Sequence, residues 1–569
     1  MRSIIEVVAA GIALSLTGST HAIPSYEVKP RSVDYANATN LPIVDLGYVI
    51  QRATIYNDTG DYFNFSNIRY AQPPTGDLRF RAPLPPETNR TAIETGEVDR
   101  ICPQANPAWL LTAQTFIPQY LTGRTNFTAA DFASNSTSSS SLPAQDPRTT
   151  EDCLFLDVQV PKHIFEQTHN KSSKGAPVLV WFYGGGYTAG SKQGSGNPAG
   201  VLARSQNNNN NGVVYVAFNY RLGAFGWLSG PTFQEDGTAN AALYDQRLAL
   251  EWIKSNIHKF GGDPERITVF GESAGGGSIM HQITAFGGSK GVPFQQAVPQ
   301  SPGWQPIVST VVQESTHDAF LGLVGAASIA EARKLPYETL QVANIIQTAL
   351  SGYGQFTWGP AVDGVFVPQL PGQSLAKGQF AKDIKLLIGH NANEGLLFTS
   401  PYISNASAYE SYIDTLLPTV SSFPLYKNYI VNTLYPASSY PDSISRASQT
   451  VADAAFVCNT FYLDKAFKNQ TYAYLFAVPP ALHGSDISYT FYNDDGASAS
   501  VINPEIAIAL QEYITHFAEF GYPSETGVPH FPIYGKNATV QVLNATRIAQ
   551  AVDPAANERC NWWQKGLYY

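Results

Sequence analysis

Charge is sparse in this sequence, and positive charge sparser still. Asp, Glu, Lys and Arg make up 14% of the 569 residues, and 35 basic against 45 acidic side chains leave a formal charge of −10. So few cations argue against a nucleic-acid partner, whose phosphates need a concentrated positive surface. Beyond the amino terminus no stretch approaches the roughly 18 uncharged apolar residues of a membrane-crossing helix, so no transmembrane segment is expected. Cysteine is limited to Cys102, Cys153, Cys458 and Cys560. None lies close to another and no histidine pair accompanies them, so the spacing of a zinc site is missing and no metal is expected.

What is present points to secretion. Residues 1–22 read as a signal peptide: Arg2 supplies positive charge, Val7 to Leu16 is mostly apolar, and Thr20-His21-Ala22 offers small residues for cleavage. N-x-S/T sequons begin at Asn37, Asn57, Asn64, Asn89, Asn126, Asn135, Asn170, Asn405, Asn469, Asn537 and Asn544, as a glycoprotein would carry them. In an oxidising compartment four cysteines read as two disulfides, for which three pairings exist. Hydrophobic residues reach 44%, ample for a large core. Low-complexity patches at Ser134–Ser141 and Asn207–Asn211 are too short to be linkers. Residues 23–569 are therefore expected to form a single domain, with an extracellular location.

Through the middle of the chain, apolar β-branched runs alternate with amphipathic stretches. Strands are expected at Val178–Phe182, Val213–Tyr220, Ile267–Phe270, Ile384–Gly389 and Tyr472–Ala477, and helices over Ala241–Phe260 and Ile506–Phe520. The alternation implies an α/β fold, a large mostly parallel sheet with helices on both faces. In such sheets reactive groups collect beyond the carboxyl ends of the strands.

Gly271-Glu272-Ser273-Ala274-Gly275 falls where one of these strands meets a helix. A serine on that sharp turn presents its hydroxyl, and the flanking glycines let strand and helix approach. Gly287-Gly288-Ser289-Lys290-Gly291 has the same pattern but no preceding strand, so Ser289 reads as a loop serine. Serine needs a base to become a nucleophile. His483 follows a strand and precedes Gly484, whereas His516 sits within a helical stretch and His530 near the carboxyl end. Glu394, in the loop after Ile384–Gly389, reads as the acid that orients the imidazole, with Asp363 and Asp486 as weaker rivals. Ser273, Glu394 and His483 then follow the nucleophile–acid–base order of an α/β-hydrolase. Gly184-Gly185-Gly186 follows another strand, where bare N–H groups could meet an oxyanion, joined by that of Ala274.

These motifs, with Glu151-Asp152-Cys153-Leu154, Asn219-Tyr220-Arg221, Asp245 to Leu250 and Phe260 to Pro264, make the chain resemble the type-B carboxylesterase/lipase family from about residue 40 onward. The resemblance implies the α/β-hydrolase fold and a triad of Ser273, Glu394 and His483. It also implies Gly185, Gly186 and Ala274 as oxyanion donors, and disulfides 102–153 and 458–560. No cofactor is expected. Two segments depart from the family pattern, Ala239-Asn240-Ala241-Ala242-Leu243 and Gln300-Ser301-Pro302. The expected activity is hydrolysis of an apolar small-molecule or lipid ester through an acyl-enzyme on Ser273. Acyl transfer to another alcohol and a catalytically silent binding protein are the competing functions. The apolar stretch Trp109 to Leu121, inside the Cys102–Cys153 loop, reads either as a lid over the active-site mouth or as packing on the protein's flank.

Overall fold

The apolar runs come together as neighbouring strands of one sheet. The computed structural model describes residues 40–135, 144–169, 174–207, 211–494, 500–524 and 527–568. The expected signal peptide and the sequons at Asn37 and Asn170 lie outside them. Eleven strands form the sheet: β1 (Ile55–Asn57), β2 (Tyr62–Arg69), β3 (Phe155–Pro161), β4 (Ala176–Phe182), β5 (Val214–Phe218), β6 (Gly262–Glu272), β7 (Gln296–Gln300), β8 (Lys385–Asn391), β9 (Tyr472–Ala477), β10 (Thr539–Asn544) and β11 (Arg547–Val552). Their spatial order is β11-β10-β9-β8-β7-β6-β4-β5-β3-β2-β1. The block from β10 to β5 is parallel throughout. The outer pairs β1–β2, β2–β3, β3–β5 and β10–β11 are antiparallel.

Every residue of β4 and β5 is buried, as expected of parallel strands covered on both faces. The helices used below are α1 (Trp109–Leu121), α2 (Gly223–Trp227), α3 (Ala241–Asn256), α4 (Ala274–Thr284), α5 (Thr310–Val324) and α6 (Pro504–Phe520). Among the described residues no helix is long and apolar enough to cross a membrane. The architecture is that of an α/β-hydrolase.

Two of the family-like motifs explain themselves as anchors. Arg221, just past β5, is clamped by Asp245 of α3. Asp245 Oδ2 accepts from the Arg221 backbone N–H (3.1 Å) and Nε (2.8 Å), and its Oδ1 accepts from Nη2 (2.6 Å). Both side chains are buried. Glu151 likewise binds Arg79, whose other nitrogen reaches the carbonyls of Arg333 and Leu335. Disulfides join Cys102 to Cys153 and Cys458 to Cys560.

Candidate active site

β6 ends at Glu272 and α4 begins at Ala274, so Ser273 must turn the chain alone. It does so at φ 59°, ψ −124°, a conformation that costs a non-glycine residue about 1–3 kcal/mol. The surroundings hold it there. Ser273 N–H donates to the Gln300 carbonyl (3.1 Å), and its own carbonyl accepts from Gly277 (2.8 Å) and Gly303 (3.0 Å). Gly275 is obligatory in this elbow, because a Cβ there would lie 2.0 Å from the Phe182 carbonyl oxygen.

The structure brings all three expected triad residues together. His483 Nε2 lies 2.7 Å from Ser273 Oγ, and its Nδ1 lies 2.5 Å from Glu394 Oε2. With the proton on Nδ1 held by Glu394, Nε2 is left to accept from the serine hydroxyl; this tautomer follows from the partners. Phe456 and Phe398 flank the imidazole, with ring centroids at 4.3 and 5.0 Å. Such a relay can take a proton from Ser273 and return it to a leaving group.

Three buried carboxylates surround the relay, and they differ in what satisfies them. Glu394 accepts from His483, from the Asn391 N–H (2.5 Å) and from Ser301 Oγ (2.6 Å). Burial pushes its pKa up, but His483 and these donors outweigh burial and hold it below the usual range. Glu272 approaches His483 Nε2 through Oε1 at 3.4 Å, and that oxygen accepts no hydrogen bond. Burial raises its pKa to about 8. Burial alone would lower His483, but the carboxylates Glu272 and Glu394 raise it to about 9. The two elevations conflict, since the rise of His483 counts a charged Glu272. We place the resting negative charge on Glu394, which has three donors where Glu272 Oε1 has none. Asp486 does not orient the imidazole. It accepts from Tyr474 (2.7 Å), Asn391 (3.1 Å) and Gln300 (3.3 Å). Asp363 instead holds Asn240 and its own turn.

The N–H groups of Gly185, Gly186 and Ala274 have no partner among the described residues. Gly185 and Gly186 both have positive φ, 110° and 62°. Space also dictates glycine at 186, where a Cβ would lie 2.1 Å from the Phe356 ring. Ala274 opens α4, whose N-terminal dipole favours negative charge. Ser289, by contrast, is exposed and donates to the Phe286 carbonyl. His516 and His530 bond to Tyr522 and Ser524, far from this relay in their partners.

Ser273 opens onto a cavity of about 320 Å³, whose wall combines aromatic side chains (Trp227, Trp304, Phe356, Trp358, Phe398 and Phe456) with aliphatic and polar ones. Tyr568 closes part of it; its carbonyl accepts from Thr419 and its ring packs 5.0 Å from Trp563. The lid reading of the disulfide loop is not supported. No residue of α1 lines the cavity. Phe116 is fully buried against Phe127 and Tyr120, and Trp109 backs the wall rings Phe356 and Phe398 from behind.

Sequence reasoning missed the closeness of Glu272, the bond from Ser301 to Glu394, and the walls supplied by Phe356 and Tyr568. Glu272 was visible within its motif, and Ser301 within a segment that departs from the family pattern; the other two carry no local signal. Among the described residues, two groups bring potential metal ligands together, Glu314–His317–Asp318 and Asp453 with Cys458 and Cys560. The second has no thiolate to offer, since its sulfurs form the disulfide.

The profile of the carboxylesterase family matches residues 45–563. The chain belongs to that family. Carboxylesterase patB of Penicillium expansum is 40% identical over 93% of this chain and 96% of its own length. A secreted lipase of Arthroderma benhamiae is 34% identical over 68% of the chain and 74% of its own length. Among solved structures, Aspergillus niger EstA superposes with a TM-score of 0.76 at 24% identity, covering 92% of this chain and 98% of that one, a likeness of fold. PNB esterase follows with a TM-score of 0.69 at 27% identity, over 92% and 99%. This carboxylesterase is a carboxylic ester hydrolase.

Proposed function

We propose that the enzyme hydrolyses apolar carboxylic esters through an acyl-enzyme on Ser273. The observation that carries this reading is the continuous relay Ser273–His483–Glu394 at the mouth of an aromatic cavity. Ser273 Oγ attacks the ester carbonyl as His483 Nε2 takes its proton. The resulting oxyanion is held by the N–H groups of Gly185, Gly186 and Ala274, and His483 returns the proton to the departing alkoxide. Water, activated by the same imidazole, then releases the acid and regenerates Ser273. Glu394 keeps the ring oriented and balances its transient charge. The cavity's aromatic walls suit an apolar chain.

Secretion and glycosylation belong to the same proposal. The signal at residues 1–22, the two disulfides and relatives named secreted lipases support an extracellular enzyme of one domain. Asn89, Asn126, Asn405 and Asn537 are exposed and are the favoured glycan sites. Asn64 is a poor one, since its Oδ1 is buried within β2.

The test is active-site labelling with a fluorophosphonate, read by peptide mass spectrometry, beside turnover of nitrophenyl esters from acetyl to palmitoyl. One adduct is expected, on Ser273. Ser273→Ala should lose the adduct and about a millionfold in rate, as serine hydrolases lose with their nucleophile. An adduct elsewhere, or more than about a thousandth of the rate retained against that expectation, overturns the assignment.

A further inference from the structure

Several polar side chains stand on the cavity wall, and one of them makes no hydrogen bond among the described residues. Ser229 lies just beyond α2, is 7% exposed and lines the cavity. Its hydroxyl has no hydrogen-bond partner among the described residues. Gln313 of α5 lines the same cavity and is 2% exposed. The Gln313 amide nitrogen is committed, donating to the carbonyls of Val362 (3.2 Å) and Val308 (3.5 Å). Its Oε1 remains an acceptor with no partner among the described residues. The two segments touch: a Cβ on Gly230, which follows Ser229, would meet the Gln313 carbonyl carbon at 3.4 Å.

The route from the reacting centre to this corner is continuous. Gly186 is followed by Tyr187, whose ring packs 4.7 Å from that of Trp227, and Trp227 ends α2 beside Ser229. The Trp227 indole N–H is itself buried without a partner. Ser229 Oγ and Gln313 Oε1 stay open to the cavity and free to bond whatever enters it. A hydroxyl can donate and accept, whereas an amide oxygen only accepts. The complement of this pair is therefore a group that accepts from Ser229 and donates to Gln313, which describes an alcohol.

We infer that Ser229 and Gln313 form a polar subsite on the cavity wall, selecting esters whose acyl chain carries a hydroxyl group. The inference rests on the proposed acyl-enzyme reading. It narrows the substrate class from apolar esters in general to esters of hydroxylated acids with an otherwise apolar chain. A site built to bond a hydroxyl discriminates against the analogue lacking it, because its own groups are then left unpaired.

The test compares kcat/KM for ethyl esters of ω-hydroxy acids, from hexanoyl to decanoyl length, with the unsubstituted esters. At the length that reaches Ser229, the hydroxylated ester should be favoured about tenfold or more, the worth of one net hydrogen bond. Ser229→Ala should bring that ratio close to one, with the loss falling on the hydroxylated series, and Ser229→Thr should retain most of it. A ratio equal in wild type and Ser229→Ala at every length, or a wild-type preference for unsubstituted esters throughout, overturns the inference. Either result would come with intact ester turnover and Ser273 labelling, so the proposed function would survive. Failure of both ester series together with absent labelling would remove that function, and the subsite with it.

Discussion

Glu272 Oε1 stands 3.4 Å from the same His483 nitrogen that faces Ser273 Oγ at 2.7 Å. The imidazole thus meets a carboxylate on each side, Glu394 at Nδ1 and Glu272 at Nε2. His483 must be neutral to act as a base, and neighbouring negative charge favours its protonated form. Its raised pKa therefore delays activity until higher pH. With the resting charge on Glu394, Glu272 is neutral over the acidic limb. We predict that Glu272→Gln leaves the acidic limb of the kcat/KM profile in place, whereas Glu394→Gln moves it toward lower pH and lowers the plateau about ten-thousandfold, as loss of the orienting acid does. A limb that moves to lower pH in Glu272→Gln would place negative charge on Glu272.

Gly186 should tolerate no side chain, for two separable reasons. Its φ of 62° disfavours any L-residue, and Phe356 occupies the space of a Cβ. Gly186→Ala is expected to lower kcat about a hundredfold or more, the loss typical of one misaimed oxyanion donor. Combining it with Phe356→Ala relieves the contact but not the dihedral, so recovery should be partial. Unchanged turnover in the single variant would take the glycine triplet out of the mechanism.

Phe116 gives a clean measure of what α1 contributes. Buried between Tyr120 and Phe127 and off the cavity wall, it should act on stability alone. Phe116→Ala is expected to cost about 3–5 kcal/mol, read from urea unfolding, while the rate ratio of octanoyl to acetyl esters holds. A changed ratio in the folded variant would restore the lid.

The Arg221–Asp245 pair should prove structural. Asp245→Ala strands a buried guanidinium, a loss of about 3–5 kcal/mol for a broken buried pair. The unfolding midpoint in urea should fall accordingly. A midpoint within experimental error of the wild type would show that Arg221 finds another acceptor.

The fold could be read wherever burial was uniform. The β4 and β5 strands are unbroken apolar runs buried along their whole length, and their positions follow from composition alone. β7 escaped notice because Gln296, Pro299 and Gln300 break the pattern. The structure accounts for the glutamines individually: Gln296 donates to Thr268 and to the end of α6, and Gln300 to Tyr474, Thr490 and Asp486. A buried strand can be polar when other elements satisfy it, and those partners lie far along the chain. The same distinction divides the site. Ser273, His483 and Glu394, the proposed triad, each follow a recognisable strand, so their places were local and legible. The wall residues Phe356 and Tyr568 matter only through what they meet in space, and no spacing could announce them.

Tyr568 stands on the wall of the cavity onto which Ser273 opens, and the Cys458–Cys560 bond moors the segment before it to the helix following Phe456. One wall of that cavity is thus held in place by a bond that a reductant can break. The thiol content of an assay buffer therefore becomes a variable of the measured substrate range.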